Sequence, residues 1–408
     1  MSTRRLAPLF AASLLVSLAA CSGGAEGSAT ESSGSTTAST TAATETTGAD
    51  TDTDTDTDGG ALDYDAPGPH PVANDRFTVA NGERELLVEI WYPADAAAAA
   101  DAAAGRPIAD FVPAGPDRDA FDALLAELSP AGMIGTRTQT ASALAAAPAA
   151  GGPWPLLLFS HCHNCARFSA FTVAEHLASH GFVVVAPDHA GNTLLDGGAD
   201  LSEDFLLTRV SDLQATLDAV LSDGVALPAA AASLVDPARV GVFGHSYGAA
   251  TAGRLAQEDA RIKAAMAIAA PIENPIFPGS KVASIAQPLL FVRAEEDNSI
   301  LVIGNNLIKL NFDDANPPAW LVKVRDAGHW NFSDICGLTD DLDAGCGEGT
   351  RQTAPGETFT YLDIDVARRL AGAYVLAFFD LHLRANADAA AYLAAPEPAE
   401  WVEVEVRE

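Results

Sequence analysis

The chain has 408 residues, of which 48% are hydrophobic and 19% charged, enough apolar material for one large core or two smaller ones. Its 55 acidic against 23 basic side chains give a formal net charge of −32. That balance argues against nucleic-acid binding, which needs a basic face to displace counterions, and against electrostatic capture by anionic lipid headgroups.

The N-terminus reads as a targeting segment. Arg4 and Arg5 precede an apolar run, Leu6 to Leu18, that is short for a membrane span and ends in Leu18-Ala19-Ala20-Cys21. This ending resembles the lipobox of bacterial lipoprotein signal peptides. The resemblance implies cleavage after residue 20, acylation of Cys21, and an exported protein held on a membrane, facing the periplasm or the cell surface. Each buried acyl methylene would contribute about 0.8 kcal/mol to that anchor. From Ser22 to about Gly60 the chain is Ser, Thr, Gly, Ala and acidic residues, which bury too little surface to offset ordering, so residues 21–62 are expected to be a disordered tether. The Thr-Asp alternation that ends at Asp58 reads as a self-repelling spacer.

Residues 63–408 alternate strand-like and helix-like segments. Glu85 to Tyr92 reads as a strand. Leu156 to Ser160 and Phe182 to Ala186 are short continuous apolar runs, as buried parallel strands are. Phe171 to His180 is helical between them, and Leu206, Val210, Leu213, Leu217 and Val220 recur on one helical face. Arg239 to Phe243 is a strand that turns into a helix from Ser246. Ile262 to Ala269, Pro288 to Val292 and Trp320 to Val324 complete the strands, and a helix covers Asp365 to Leu383. Such alternation predicts an α/β fold, a doubly wound, mostly parallel sheet with helices on both faces. The stretch 94–150 does not fit the alternation and is expected to be an insertion, one or two helices and a long loop, lying over the active-site edge.

Gly244-His245-Ser246-Tyr247-Gly248 has the G-x-S-x-G form, with a strand before it and a helix after it, the context this motif requires. The serine must stand on a sharp, strained turn, and side chains at the glycine positions would collide with the neighbouring elements. A serine hydroxyl is a poor nucleophile without a base, and the base needs a carboxylate to orient it. Asp297 follows a late strand and is the expected acid, with Glu295 and Glu296 as near rivals. His329 follows the next strand and is the expected base. Oxyanion donors are expected from the N–H of Tyr247 and from the main chain of His163, in the loop Ser160-His161-Cys162-His163-Asn164-Cys165. Trp330 and Phe168 are candidate walls of a substrate pocket.

Four segments carry a family resemblance: Phe159-Ser160-His161, then Leu177-Ala178-Ser179-His180-Gly181-Phe182 with Asp188-His189, the turn Gly244 to Gly248, and His329-Trp330-Asn331-Phe332-Ser333-Asp334. Together they resemble the platelet-activating-factor acetylhydrolase and dienelactone-hydrolase-like branch of the α/β hydrolases, which is similar to the bacterial cutinases and polyester hydrolases. The resemblance implies a serine carboxylic-ester hydrolase acting without metal or cofactor on short-chain, lipid-derived or polymer esters. Ser246, Asp297 and His329 would be its triad, and His163 and Tyr247 its oxyanion hole. Dienelactone hydrolases proper use a cysteine nucleophile, and here serine stands in its place. A serine peptidase of the same fold and a non-catalytic surface-binding lipoprotein are the rival functions. No obligate protein partner is evident.

Five cysteines less Cys21 leave two close pairs. In an exported protein Cys336 and Cys346 are expected to form a disulfide that closes a Gly- and Asp-rich loop. Cys162 departs from the glycine usual after the histidine of this loop. A Cys162–Cys165 disulfide is the favoured account, beside a metal site built from the local His and Cys side chains or a thioredoxin-like redox pair.

Overall fold

Runs that are apolar on both faces become the central strands. Leu156, Leu157 and Leu158 are all fully buried, as are Val183, Val184 and Val185, which is what a sheet covered by helices on both sides requires. The computed structural model describes residues 63–127, 139–196, 198–222 and 234–408. The expected signal segment, the expected tether and Cys21 lie outside the described residues, as do residues 128–138 of the expected insertion.

Among the described residues the main sheet has ten strands. In chain order they are β1 (Val72–Asn81), β2 (Arg84–Pro93), β3 (Ser142–Leu144), β4 (Trp154–Ser160), β5 (Val183–Pro187), β6 (Val235–His245), β7 (Ile262–Ile268), β8 (Leu289–Ala294), β9 (Ala319–Val324) and β10 (Val402–Arg407). Their spatial order is β10-β9-β8-β7-β6-β4-β5-β2-β1-β3. Strands β4 to β9 run parallel, whereas β2 is antiparallel to β5, β1 to β2, and β10 to β9.

Among the described residues the α-helices are α1 (Ala99–Ala104), α2 (Pro116–Glu127), α3 (Phe171–Ser179), α4 (Glu203–Leu221), α5 (Tyr247–Glu258), α6 (Leu301–Asp314), α7 (Ile364–Arg384) and α8 (Asp388–Ala394). The apolar stripe of α4 (Leu206, Val210, Leu213, Leu217, Val220) is buried, and Ser202 caps its N-terminus by accepting the N–H of Phe205. Two hydrophobic cores flank the sheet. One joins α3 and α7 to it through residues such as Leu177 and Phe378, the other joins α4, α5 and α6 through residues such as Leu213, Leu255 and Ile308.

The topology decides where a site can form. After β4 the chain moves to β5 on one side, then crosses back to β6 on the other side of β4. The loops leaving β4 and β6 therefore diverge and open a crevice at their C-terminal ends. Ser160, the last residue of β4, pairs with Gly244 of β6 across that crevice.

The expected insertion divides in two. Its ends do not cover the crevice: α1 and β3 sit at the far edge of the sheet, where the small side chains of Ala98 and Ala102 bury flat against it. Its middle lies just beyond the β4 loop, where Phe111 and Phe121 pack on Phe168.

Candidate active site

Ser246 sits between β6 and α5 with φ 56° and ψ −121°, a left-handed conformation that costs a non-glycine residue of order 1–3 kcal/mol. The turn is held because its N–H donates to the carbonyl of Ile268 (2.8 Å). The flanking glycines are steric necessities. A Cβ on Gly244 would lie 2.1 Å from the Gly248 carbonyl oxygen, and one on Gly248 would lie 1.9 Å from that of Ser160.

His329 comes from the turn after β9 and Asp297 from the turn after β8. The Nε2 of His329 lies 2.8 Å from Ser246 Oγ, and its Nδ1 lies 2.8 Å from Asp297 Oδ2. Asp297 is fully buried, and its other oxygen accepts the N–H groups of Ser299 and Ile300, both at 3.0 Å. Those two bonds fix the carboxylate so that Oδ2 faces the imidazole. The rival acids point elsewhere. Glu295 pairs with Lys323 at 3.1 Å. Glu296 accepts from Arg351 (3.2 Å), from the N–H of Thr353 (3.0 Å), and from Gln352 and the Thr353 hydroxyl. Burial works to raise the Glu296 pKa, but these donors outweigh it and hold the group below the ordinary carboxylate value.

The turn that carries His329 is braced from three directions. His245 donates Nε2–H to the His329 carbonyl at 2.9 Å; burial, with the nearby His329, pulls its pKa to about 3 and keeps it neutral. Asn331 accepts the N–H of Gly328 (2.7 Å) and donates to Leu362 O (2.8 Å). The Trp330 N–H donates to the Ala344 carbonyl, in the loop closed by a Cys336–Cys346 disulfide whose Cα atoms are 6.2 Å apart. The Trp330 ring meets that of His329 edge-on at 4.8 Å.

On the opposite wall, Tyr247 is the first residue of α5, so its N–H has no acceptor within the helix. Its ring stacks on Phe277 and faces His163 at 6.0 Å. His163 accepts from Asn192 at 2.9 Å, and burial, then Arg209, lower its pKa to about 4. Cys162 and Cys165 are joined by a disulfide with Cα atoms 5.2 Å apart, so neither sulfur is a free thiol or a metal ligand.

Phe168 is the expected site residue that is not brought to the others. It is 2% exposed, stacked on Phe111 and edge-on to Phe121, and it borders a cavity of about 350 Å³ that neither Ser246 nor His329 lines. Three residues beside the site escaped sequence reasoning: His245 under His329, and Arg209 and Asn192 behind His163. Arg209 left a signal, since a charged residue falls between Leu206 and Leu213 on the very face that the helical spacing buries.

The fold is the α/β-hydrolase fold. A family model described as chlorophyllase matches residues 135–311, and one described as platelet-activating factor acetylhydrolase, isoform II, matches residues 63–195. The chain is 26% identical to platelet-activating factor acetylhydrolase of Bos taurus over 58% of its own length and 59% of that protein. It is 34% identical to cutinase est2 of Thermobifida alba over 31% of its length and 36% of that protein. It thus spans well under two thirds of the curated relatives it matches. A solved ferulic acid esterase from Streptomyces cinnamoneus superposes with a TM-score of 0.58 at 23% identity, over 80% of this chain and 94% of that one, a likeness of fold. These matches fit the esterase branch of the α/β hydrolases. Among the described residues no helix is long and apolar enough to cross a membrane.

Proposed function

We propose that this protein is a serine carboxylic-ester hydrolase for short-chain, lipid-derived or polymer esters, and that residues 63–408 are its catalytic domain. Ser246 Oγ attacks the ester carbonyl while His329 Nε2 takes its proton, which is later handed to the leaving alcohol. Asp297 keeps the imidazole in the Nδ1–H tautomer that leaves Nε2 free to accept. The N–H of Tyr247 and the main chain of His163 receive the oxyanion, and Trp330 forms a wall beside the reacting carbonyl. Water then resolves the acyl-enzyme. The Cys21 lipid anchor and the tether would hold this domain at a membrane.

One observation carries the proposal: the unbroken line from Ser246 Oγ through both nitrogens of His329 to Asp297, 2.8 Å at each step, on a strained strand-to-helix turn. An acetylhydrolase and cutinases among the relatives support an ester substrate over a peptide. The test is a p-nitrophenyl ester series, acetate to palmitate, on wild type and Ser246→Ala. Hydrolysis that disappears in the variant is expected, with the chain-length profile showing acyl preference. Wild type and variant equally inert across the series, or equally active, would sink the proposal.

A further inference from the structure

We propose that Arg209 is a positioning residue that locks the two walls of the oxyanion hole together, an inference that rests on the esterase reading above. Arg209 lies on α4 and is fully buried. A buried cation carries a desolvation cost of several kcal/mol unless it is well compensated. The carboxylate one turn further on, Asp212, is engaged elsewhere: Arg84 binds it at 2.9 Å, Asn81 at 2.9 Å and His189 at 3.1 Å. Arg209 instead directs its donors to the loops around Ser246.

Its contacts fall into two sets. Toward the β4 loop, Nη2 donates to the His161 carbonyl and to Ser160 Oγ (3.1 Å). From the same guanidinium, Nη1 donates to Asn192 Oδ1 (2.6 Å), and Asn192 in turn donates to His163 Nδ1 (2.9 Å) and Asn164 Oδ1 (3.2 Å). Toward α5, Nε donates to Thr251 Oγ1 (3.1 Å), whose hydroxyl donates to the Tyr247 carbonyl (2.9 Å), and the guanidinium carbon lies 4.4 Å from the centre of the Tyr247 ring. One rigid, planar group thus spans the crevice between the segments that hold His163 and Tyr247. Lysine, a point charge with three donors on a flexible stem, cannot reproduce that fork. Burial lowers the Arg209 pKa to about 9, and Tyr247 and Asp212 oppose the fall, so the group is charged at neutral pH.

Behind it stands a second serine–histidine–aspartate line. Ser160 Oγ is 3.0 Å from His189 Nε2, and His189 Nδ1 is 3.1 Å from Asp212 Oδ2. All three are fully buried, and Ser160 Oγ accepts from Arg209, which makes the line a strut under the β4 loop.

The experiment compares wild type with Arg209→Lys, Arg209→Met and the milder, near-isosteric Thr251→Val. It reads kcat and KM on p-nitrophenyl butyrate, inhibition by an alkylboronic acid that forms a tetrahedral adduct on serine, and Tm. For both Arg209 variants kcat should fall about 10²-fold, the loss that roughly 1 Å of misplacement produces, with KM within about threefold and boronate affinity falling in step with kcat. Thr251→Val should show the same split at about fivefold, one hydrogen bond's worth. Folded Arg209 variants with kcat and boronate affinity within about threefold of wild type would overturn the proposal. If those variants do not fold, a Thr251→Val enzyme unchanged in kcat overturns it instead. Wild type without esterase activity would bring down the esterase reading and this inference with it, whereas active wild type beside unaffected variants removes only the role of Arg209.

Discussion

Replacing Asp297 by asparagine changes one atom at the end of the hydrogen-bonded line, and the structure dictates how the amide must lie. Oδ1 accepts two backbone N–H groups, from Ser299 and Ile300, so the new amide oxygen takes that place and its NH₂ is left facing His329 Nδ1. Nδ1 must then accept, the proton moves to Nε2, and Nε2–H points at the Ser246 hydroxyl 2.8 Å away as a donor. The base is in the wrong tautomer. That fault lowers kcat about 10⁴-fold in serine triads, close to 5.4 kcal/mol at 1.36 kcal/mol per decade. The substitution is nearly isosteric and keeps both backbone bonds, so KM should stay within about threefold and Tm within a few degrees. The assay is steady-state hydrolysis of p-nitrophenyl butyrate beside thermal denaturation. A folded Asp297→Asn enzyme that retains more than about a tenth of wild-type kcat would refute the assignment of Asp297 and the tautomer reasoning with it.

Glu296→Gln separates the neighbouring acid from the chemistry: kcat should hold, while stability at pH 7 falls by about 1.5–3 kcal/mol as charge-assisted bonds weaken. Because the folded-state pKa of Glu296 is depressed, its contribution is present above the ordinary carboxylate pKa and is lost as pH falls through the folded value; urea titrations of wild type and variant should therefore converge in acid. Reduction of Cys162–Cys165, checked by thiol titration, should lower turnover by loosening the loop that carries His163, and full activity with both thiols titrated would contradict this. His382 lies against Trp320 and Phe378, and burial lowers its pKa to about 4, so the folded state resists the proton that the unfolded chain accepts near 6.5. Wild type should lose stability faster than His382→Leu between pH 6.5 and about 4, by at most about 1.4 kcal/mol per pH unit, and parallel curves would exclude that linkage.

The central strands were legible because burial on both faces leaves a continuous apolar run that needs no partner to be recognised. The edges were less so, although they left signals. Strand β1 carries a polar outer face and joins β2 through the two-residue turn Gly82-Glu83, with Gly82 at φ 63°, the glycine-first turn that tight hairpins favour. Strand β10 alternates Val402, Val404 and Val406 with charged residues, and Glu403 reaches Lys323 and Arg325 on and beside its neighbour β9. Both are half-exposed strands whose pattern is clear in period but weak in hydrophobicity. In the insertion, alanine-rich sequence marks a helix without saying which surface it covers. Sheet order decides that, and it is set by long-range pairing.

The site divides along the same line between local and long-range information. The turn at Ser246 is partly local: the glycine at 244 is demanded by the Gly248 carbonyl that the G-x-S-x-G spacing brings against it, whereas the glycine at 248 is demanded by the Ser160 carbonyl at the end of β4. His329 and Asp297 were found because chain order and strand ends confine them to one edge of a parallel sheet. Choosing Asp297 over Glu296 needed more than order, because three consecutive acids share that loop. The structure separates them by what their oxygens meet, two backbone N–H groups and an imidazole for Asp297, Arg351 and Thr353 for Glu296, Lys323 for Glu295. The hydrogen bonds of Arg209 lie still further from any local pattern, since its partners come from segments 17 to 49 positions away. A buried charge on the apolar face of a helix is nonetheless costly enough that its mere presence among Leu206, Val210 and Leu213 says something must hold it there. In this protein the groups that hold it come from the end of β4 and its loop, from Asn192 and from α5, around Ser246.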